Sequence, residues 1–448
     1  MPRTPNTRLA LLLQAAGWNP SQLATALRGI AAEEGLTLTV YRTTARRWLD
    51  GAQPRPPIPA LLLECLSRRL SRRITAYDAG LTRAPAVVVD PAWEVDPMRK
   101  LAHLTRAELD PHRRALLGAG VFAATALALP SEGGIMSAAV PDGSAPADRR
   151  AGPSDLEQLG TMAAVFATAA DRHGGQRVRA ALAAYLAHEV TPLLDGPART
   201  DIHHGLLSAT AQLTLLLGSM CADSGHHALA QHYQQIAARL ATDAGDHTTL
   251  AITLRTMATH AHDLGHHTPA VLHLAEQADR HARHAPPAVR AYTHIHLAVL
   301  HAHHDRYASQ AALARAERFH TQTDTAPGPF SSYPAGALHY QRAQTLTTLG
   351  DDPAALTALT TSLRLRTSTE QLPAALTRAR LAETHLRLGH LDAALTHWRA
   401  FLDTYPSLKS ARADERLTAA LQCLRPHQRH ADAADFLGRV TELTRPAP

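Results

Sequence analysis

The sequence predicts an all-α protein: a small N-terminal helical bundle joined to a long body of repeated helical pairs. Three observations carry this. Aromatic residues make up only 4% of the 448-residue chain while Ala and Leu are abundant, a bias that favours helices packed through small side chains over sheets built from β-branched and aromatic residues. Apolar residues recur at helical spacing along the first seventy positions. Beyond residue 200, turn-like elements return at 225, 265, 305, 350, 389 and 429, a period of about 40 residues that marks stacked helical pairs.

The elements follow in order. Residues 6–17 (NTRLALLLQAAG) place Leu9, Leu12, Leu13 and Ala16 on one face and stop at a glycine, which predicts a first short helix. Pro20 restarts the chain, with Ser21 as N-cap or first-turn residue and Leu23, Leu27 and Ile30 as the buried stripe of a second helix. In residues 41–51 (YRTTARRWLDG), Val40, Thr44, Trp48 and Leu49 recur on one side, and Arg42, Thr43, Arg46 and Arg47 share the other. A short helix with such a polar face fits a DNA major groove, because guanidinium forks match guanine O6 and N7 while other arginines reach phosphates. Arg55 sits in a stiff basic turn from Pro54 to Pro59, and Leu61, Leu62, Cys65, Leu66 and Leu70 line a fourth helix that carries Arg68, Arg69, Arg72 and Arg73.

Charge points the same way. Residues 1–80 hold eleven arginines against five acids, a surplus equal to the whole chain's net charge of +6, so the remainder is formally neutral. A basic module on a neutral body implies an anionic partner, double-stranded DNA first and an acidic membrane surface second.

The order of a helix, the Ser21-Gln22-Leu23-Ala24 helix, and the Thr43-Thr44, Trp48 and Gly51 positions of the third resembles the helix-turn-helix of XRE-type (lambda-repressor-like) regulators. The resemblance covers about 70 residues; together with the basic faces above it points to DNA contacts from Ser21, Gln22, Arg42, Thr43, Arg46, Arg47, Arg55, Arg68, Arg69 and Arg72. One departure is visible: residues 31–40 replace the three or four residues usual between the two helices.

Residues 82–153 read as a linker interrupted by one apolar helix over 115–129. Arg113-Arg114 before that run imitates a twin-arginine export signal, but it stands behind a complete basic module, so a packing helix is the expectation. Gly118-Ala119-Gly120 fits a dinucleotide fingerprint only by letters, since no βαβ pattern surrounds it.

Residues 154–448 form the repeat body, with Val178 to Leu194 as an atypical capping pair. A small residue seven before the turn glycine (Ala258, Ala343, Ala382) and an alanine five after it (Ala230, Ala270, Ala355, Ala394) let two helices approach closely. The pattern resembles tetratricopeptide (TPR) repeats, best in residues 381–406, where Ala382, Gly389, Ala394, Trp398, Phe401 and Pro406 hold the family's positions. The resemblance implies a solenoid whose concave face binds a peptide or protein.

Several chemistries are not expected. The chain has three cysteines, Cys65, Cys221 and Cys423, far apart and without a Cys-x-x-Cys pair. No phosphate loop, nucleophile elbow or complete H-E-x-x-H is present, so neither enzyme nor cofactor is predicted. Paired histidines at 203–204, 226–227, 266–267 and 303–304, among 29 in all, read as exposed turn residues without a metal. No apolar run reaches the roughly 18 residues of a membrane span.

Together these readings imply a cytoplasmic, sequence-specific transcriptional regulator, similar in domain order to XRE/TPR regulators of filamentous actinobacteria. The alternative is a TPR adaptor that binds only proteins. A palindromic site would require a homodimer, with Trp398, Phe401, Tyr405 and Phe436 as candidate contacts.

Overall fold

The computed structural model describes residues 5–33, 36–55, 57–70, 74, 76, 78–81, 96–109, 122–127, 150–322 and 333–443, and among them every regular element is helical. Asn6 caps α1 (Thr7–Ala16), its Oδ1 accepting from Leu9 N at 3.0 Å. Leu9, Leu12, Leu13 and Ala16 are buried, as their spacing predicts. Asn19, rather than Ser21, caps α2 (Pro20–Glu33): its Oδ1 accepts from Ser21 N and Gln22 N, while Gln22 Oε1 accepts from Asn19 N. That reciprocal exchange satisfies donors at the helix start that otherwise lack partners. After residues 36–41, α3 (Arg42–Leu49) turns Ala45 and Trp48 inward beside Val40, leaving Thr44 half-buried. α4 (Ile58–Leu70) buries Leu61, Leu62, Cys65 and Leu66 and closes the four-helix module.

The stretch 82–153 is not a linker throughout. It contains α5 (Pro97–Leu109), whose Leu101 and Leu104 enter the core of the body. Glu108 on the same helix meets Arg179 at 2.7 Å and accepts from the Tyr233 hydroxyl at 2.8 Å. Of the apolar run 115–129, the described part is no packing helix but a short 3-10 turn, Ala124–Leu127, with Phe122 and Leu127 buried. Arg113, Arg114 and Gly118 to Gly120 lie outside the described residues.

The body opens with α6 (Pro153–His173) and α7 (Gly175–Tyr185), then a π turn (Leu186–Val190) and a short α8 (Thr191–Asp195). Helical hairpins follow. They pair α9 (Thr200–Asp223) with α10 (His227–Asp243), α11 (His247–Asp263) with α12 (Pro269–His281), and α13 (Pro287–His301) with α14 (Arg306–Thr321). Next come α15 (Ala335–Thr348) with α16 (Asp352–Arg364), α17 (Gln371–Arg387) with α18 (Leu391–Thr404), and α19 (Ala411–Leu424) with α20 (Ala431–Leu443). All six turns read from the sequence fall inside these hairpins. Ala230, Ala355 and Ala394 are wholly buried where their helices touch, whereas Ala270 is exposed. The difference arises because α12 starts at Pro269, so Val271 and Leu274 fill the contact instead.

α9 is long and apolar enough to cross a membrane by length and composition, with a hydropathy of 1.4 over its best window. The sequence reading missed it because single polar residues such as Thr210, Gln212 and Thr214 interrupt the apolar letters. In the body it is a core helix: Leu206, Ala211, Leu213 and Leu217 are fully buried. Trp398, Phe401 and Phe436 are likewise fully buried against one another, which removes them as a self-association surface.

The hairpins do not form an open rod. α6 packs on α17, His173 O accepts from Lys409 N at 2.8 Å, and Lys409 O accepts from Gln176 N at 3.3 Å. Asp223, at the end of α9, ties this closure together. Its Oδ2 accepts from Gly175 N at 2.7 Å, and its Oδ1 accepts from Ser410 Oγ at 2.6 Å and Arg412 Nε at 2.7 Å. The carboxylate thereby faces the N-termini of both α7 and α19, where helix dipoles favour negative charge.

Candidate nucleic-acid interface and channel

On the N-terminal module, Arg42, Thr43, Arg46 and Arg47 are all exposed on α3 while Trp48 is 4% exposed on its opposite side. The indole packs α3 onto the bundle and thereby aims the polar face outward. Arg46 is 3.6 Å from Asp50, a loose exposed pair that leaves its guanidinium available. Ser21, Gln22 and Arg55 are exposed too. Tyr41, which sequence reasoning passed over, is 59% exposed immediately before α3. Its position beside Arg42 is the only signal that could have marked it.

The second basic cluster does not hold as expected. Arg68 is drawn inward, donating to Glu33 Oε2 at 2.6 Å, to Glu64 Oε1 at 2.7 Å and to Phe122 O at 3.2 Å. Burial works against its charge, but the hydrogen bonds to Glu33 and Glu64 outweigh it and hold its pKa above the ordinary range. Arg69 is exposed, yet its Nε donates to Ala16 O at 2.9 Å at the end of α1. Arg72 lies outside the described residues.

Arg68 belongs instead to the joint between module and body. Glu64 Oε1 also accepts from Ala124 N at 2.9 Å, and Gln231 on α10 exchanges two hydrogen bonds with the backbone of Ala123. Phe122 stacks on His266 with ring centroids 5.5 Å apart and meets His260 edge-on at 5.0 Å. His266 Nε2 stands 3.9 Å from Glu33. Removing the ring leaves an apolar gap at this joint. Phe122→Ala should therefore loosen the module from the body, seen as a larger radius of gyration in small-angle scattering with helical content unchanged.

The closed body surrounds a channel of about 710 Å³, lined among others by Arg255, Tyr292, Tyr340, Arg380, Arg412 and Asp171. Most of its charges are paired: Arg366 with Glu370 at 2.7 Å, Arg416 with Glu383 at 3.1 Å, and Arg412 with Asp223. Arg255 differs. It is 6% exposed, stacks on Tyr292 at 3.8 Å and donates to the Tyr292 hydroxyl, while its Nε has no hydrogen-bond partner among the described residues.

Asp171, exposed on α6, lines the channel. Desolvation by the surrounding channel walls, and then the nearby Glu370 charge, push its pKa up to about 6. An acid whose folded pKa exceeds its unfolded value holds more protons when folded, so it favours folding as pH drops below that value and opposes it above. Asp171→Asn should accordingly raise the thermal midpoint at neutral pH, with the gain fading as pH falls through about 6 toward about 4.

The paired histidines are not uniformly exposed turn residues. His226, His227 and His266 are partly buried. Burial, and then Arg179 and His227, hold His226 down to about 4. His303, though exposed, is held down to about 4 as well, by partial desolvation and then by His267, His262 and His304.

A family model described as the SP15 N-terminal domain matches residues 9–82, from within α1 to beyond the end of α4. No match to the chain is found among curated proteins.

Proposed function

We propose that the chain is a DNA-binding transcriptional regulator, acting in the cytoplasm, whose N-terminal helix-turn-helix reads duplex DNA and whose TPR-like body senses a ligand and holds two copies together. The observation that carries this reading is the α3 face: three arginines and a threonine exposed together, backed by a buried Trp48. Arg42, Arg46 and Arg47 supply base and phosphate donors, Thr43 a short hydroxyl, and Ser21 and Gln22 at the start of α2 reach the flanking backbone. Arg55 and the free edge of Arg69 add phosphate contacts, while Arg68 serves the joint. The channel offers the sensor site, with Arg255 as the donor for an anionic group of a bound peptide or protein segment.

The test is equilibrium binding of the full chain to duplexes enriched from a random pool, measured by fluorescence anisotropy across salt concentrations. Several phosphate contacts make the affinity fall steeply, with a log–log slope of about −0.9 per contact. Binding that is absent, or flat with salt, would leave the protein-only adaptor as the better reading.

A further inference from the structure

Three imidazoles meet at the mouth of the channel. His262 lies in the last turn of α11, His267 in the turn that follows, and His303 in the α13–α14 turn of the next hairpin. Nε2 of His262 and Nε2 of His303 stand 3.1 Å apart. The His267 ring stacks on His303 with centroids 4.2 Å apart and meets His262 edge-on at 4.8 Å. One ring nitrogen from each residue lies within 4.8 Å of the other two.

A hydrogen bond between two neutral rings explains the 3.1 Å pair, but it does not account for the third imidazole converging on the same point. Tetrahedral zinc with Zn–N bonds of 2.0–2.1 Å places its ligand nitrogens about 3.3 Å apart. The His262–His303 separation already falls there, and His267, exposed on a turn, completes the set by rotating out of its stack on His303. Nδ1 of His262 is 3.5 Å from Asp263 Oδ1, and a carboxylate on that side favours the tautomer that leaves Nε2 free to coordinate.

We propose that His262, His267 and His303 bind a divalent transition metal through three imidazole nitrogens. An all-nitrogen donor set selects zinc, nickel, cobalt or copper over calcium or magnesium, which require oxygen ligands. His262 and His267 both line the channel, so the fourth coordination position opens toward it and takes water or a donor atom of a channel ligand. Among the described residues, the other three-residue group of possible ligands, Asp392, His430 and Asp432, is exposed, and Asp432 is already held by Arg399 at 2.6 Å. The histidine cluster also sits where a metal would matter mechanically. It fixes the turn that carries His266, the residue stacked on Phe122 at the joint with the N-terminal module.

The test is calorimetric titration of the chelator-stripped full chain with zinc chloride alone. The expected result is one zinc ion per chain, bound at least about tenfold more weakly by His267→Ala and by His303→Ala and unchanged in His304→Ala, a neighbour on the same turn. Both ligand variants replace exposed residues, so their thermal midpoints in chelator should equal that of the parent. Cobalt in place of zinc should give visible d–d absorption that the double variant lacks. No stoichiometric zinc uptake by the parent, unchanged uptake by His267→Ala/His303→Ala, or an equal loss in His304→Ala would overturn the assignment.

Discussion

Asp223→Ala should lower the stability of the body by about 3 kcal/mol or more. The carboxylate is 4% exposed and accepts from Gly175 N, Ser410 Oγ and Arg412 Nε. Truncation strands a buried backbone N–H at the start of α7 and removes the negative charge that two helix N-termini share. Asp223→Asn keeps the shape but not the charge, and should fall between Ala and the parent. Gly174 offers an independent route to the same joint. Its φ is 87°, and a methyl group there would stand 2.3 Å from Lys409 O, so Gly174→Ala should also open the closure. Urea unfolding followed by circular dichroism measures both. A midpoint within error of the parent for each variant would mean that the contact between residues 173–176 and 409–412 contributes little to holding the channel shut.

The second large effect concerns DNA. Losing Arg46 or Arg47 should cost about 1–3 kcal/mol of affinity for a preferred duplex if the residue reaches a base edge, and the double substitution should bring specific binding close to the non-specific level. Arg55→Ala should weaken preferred and random duplexes alike, because a phosphate contact carries no sequence information. Arg68→Ala should instead disturb the joint through Glu33, Glu64 and Phe122. Anisotropy titrations on the two kinds of duplex separate the classes, since equal losses on both for Arg46→Ala would deny it a base-reading role.

What was legible in the sequence was local. α1 could be read because Asn6, the Leu9 to Ala16 stripe and Gly17 all lie within twelve residues, and the α3 face because Trp48 fixes which side is buried. The hairpin turns were legible through their repeat. α5 was not, because its inner face buries Thr105 and Glu108 beside Leu101 and Leu104, a mixture that does not read as an apolar stripe. Arg68 looked like a free surface arginine because Glu33 is 35 positions away and the Phe122 carbonyl 54. The closure rests on Asp223 meeting Ser410 across 187 positions, a distance at which periodicity carries no information. The histidine cluster was half visible: two of the noted pairs each contribute one member, but the third ring, His262, lies one residue before a helix end and belonged to no pair.

The central claim is that α3 lies on DNA. Its most direct measurement is site-specific photocrosslinking, with benzoylphenylalanine placed at Thr43 on the exposed α3 face or, as a control, at exposed Val165 on α6 of the body. The full chain is irradiated with a preferred duplex and the products resolved on a denaturing gel. A crosslink to base-containing fragments from position 43, competed by unlabelled duplex and absent from position 165, is the result expected. DNA that crosslinks from neither position, or from the body alone, would contradict the account.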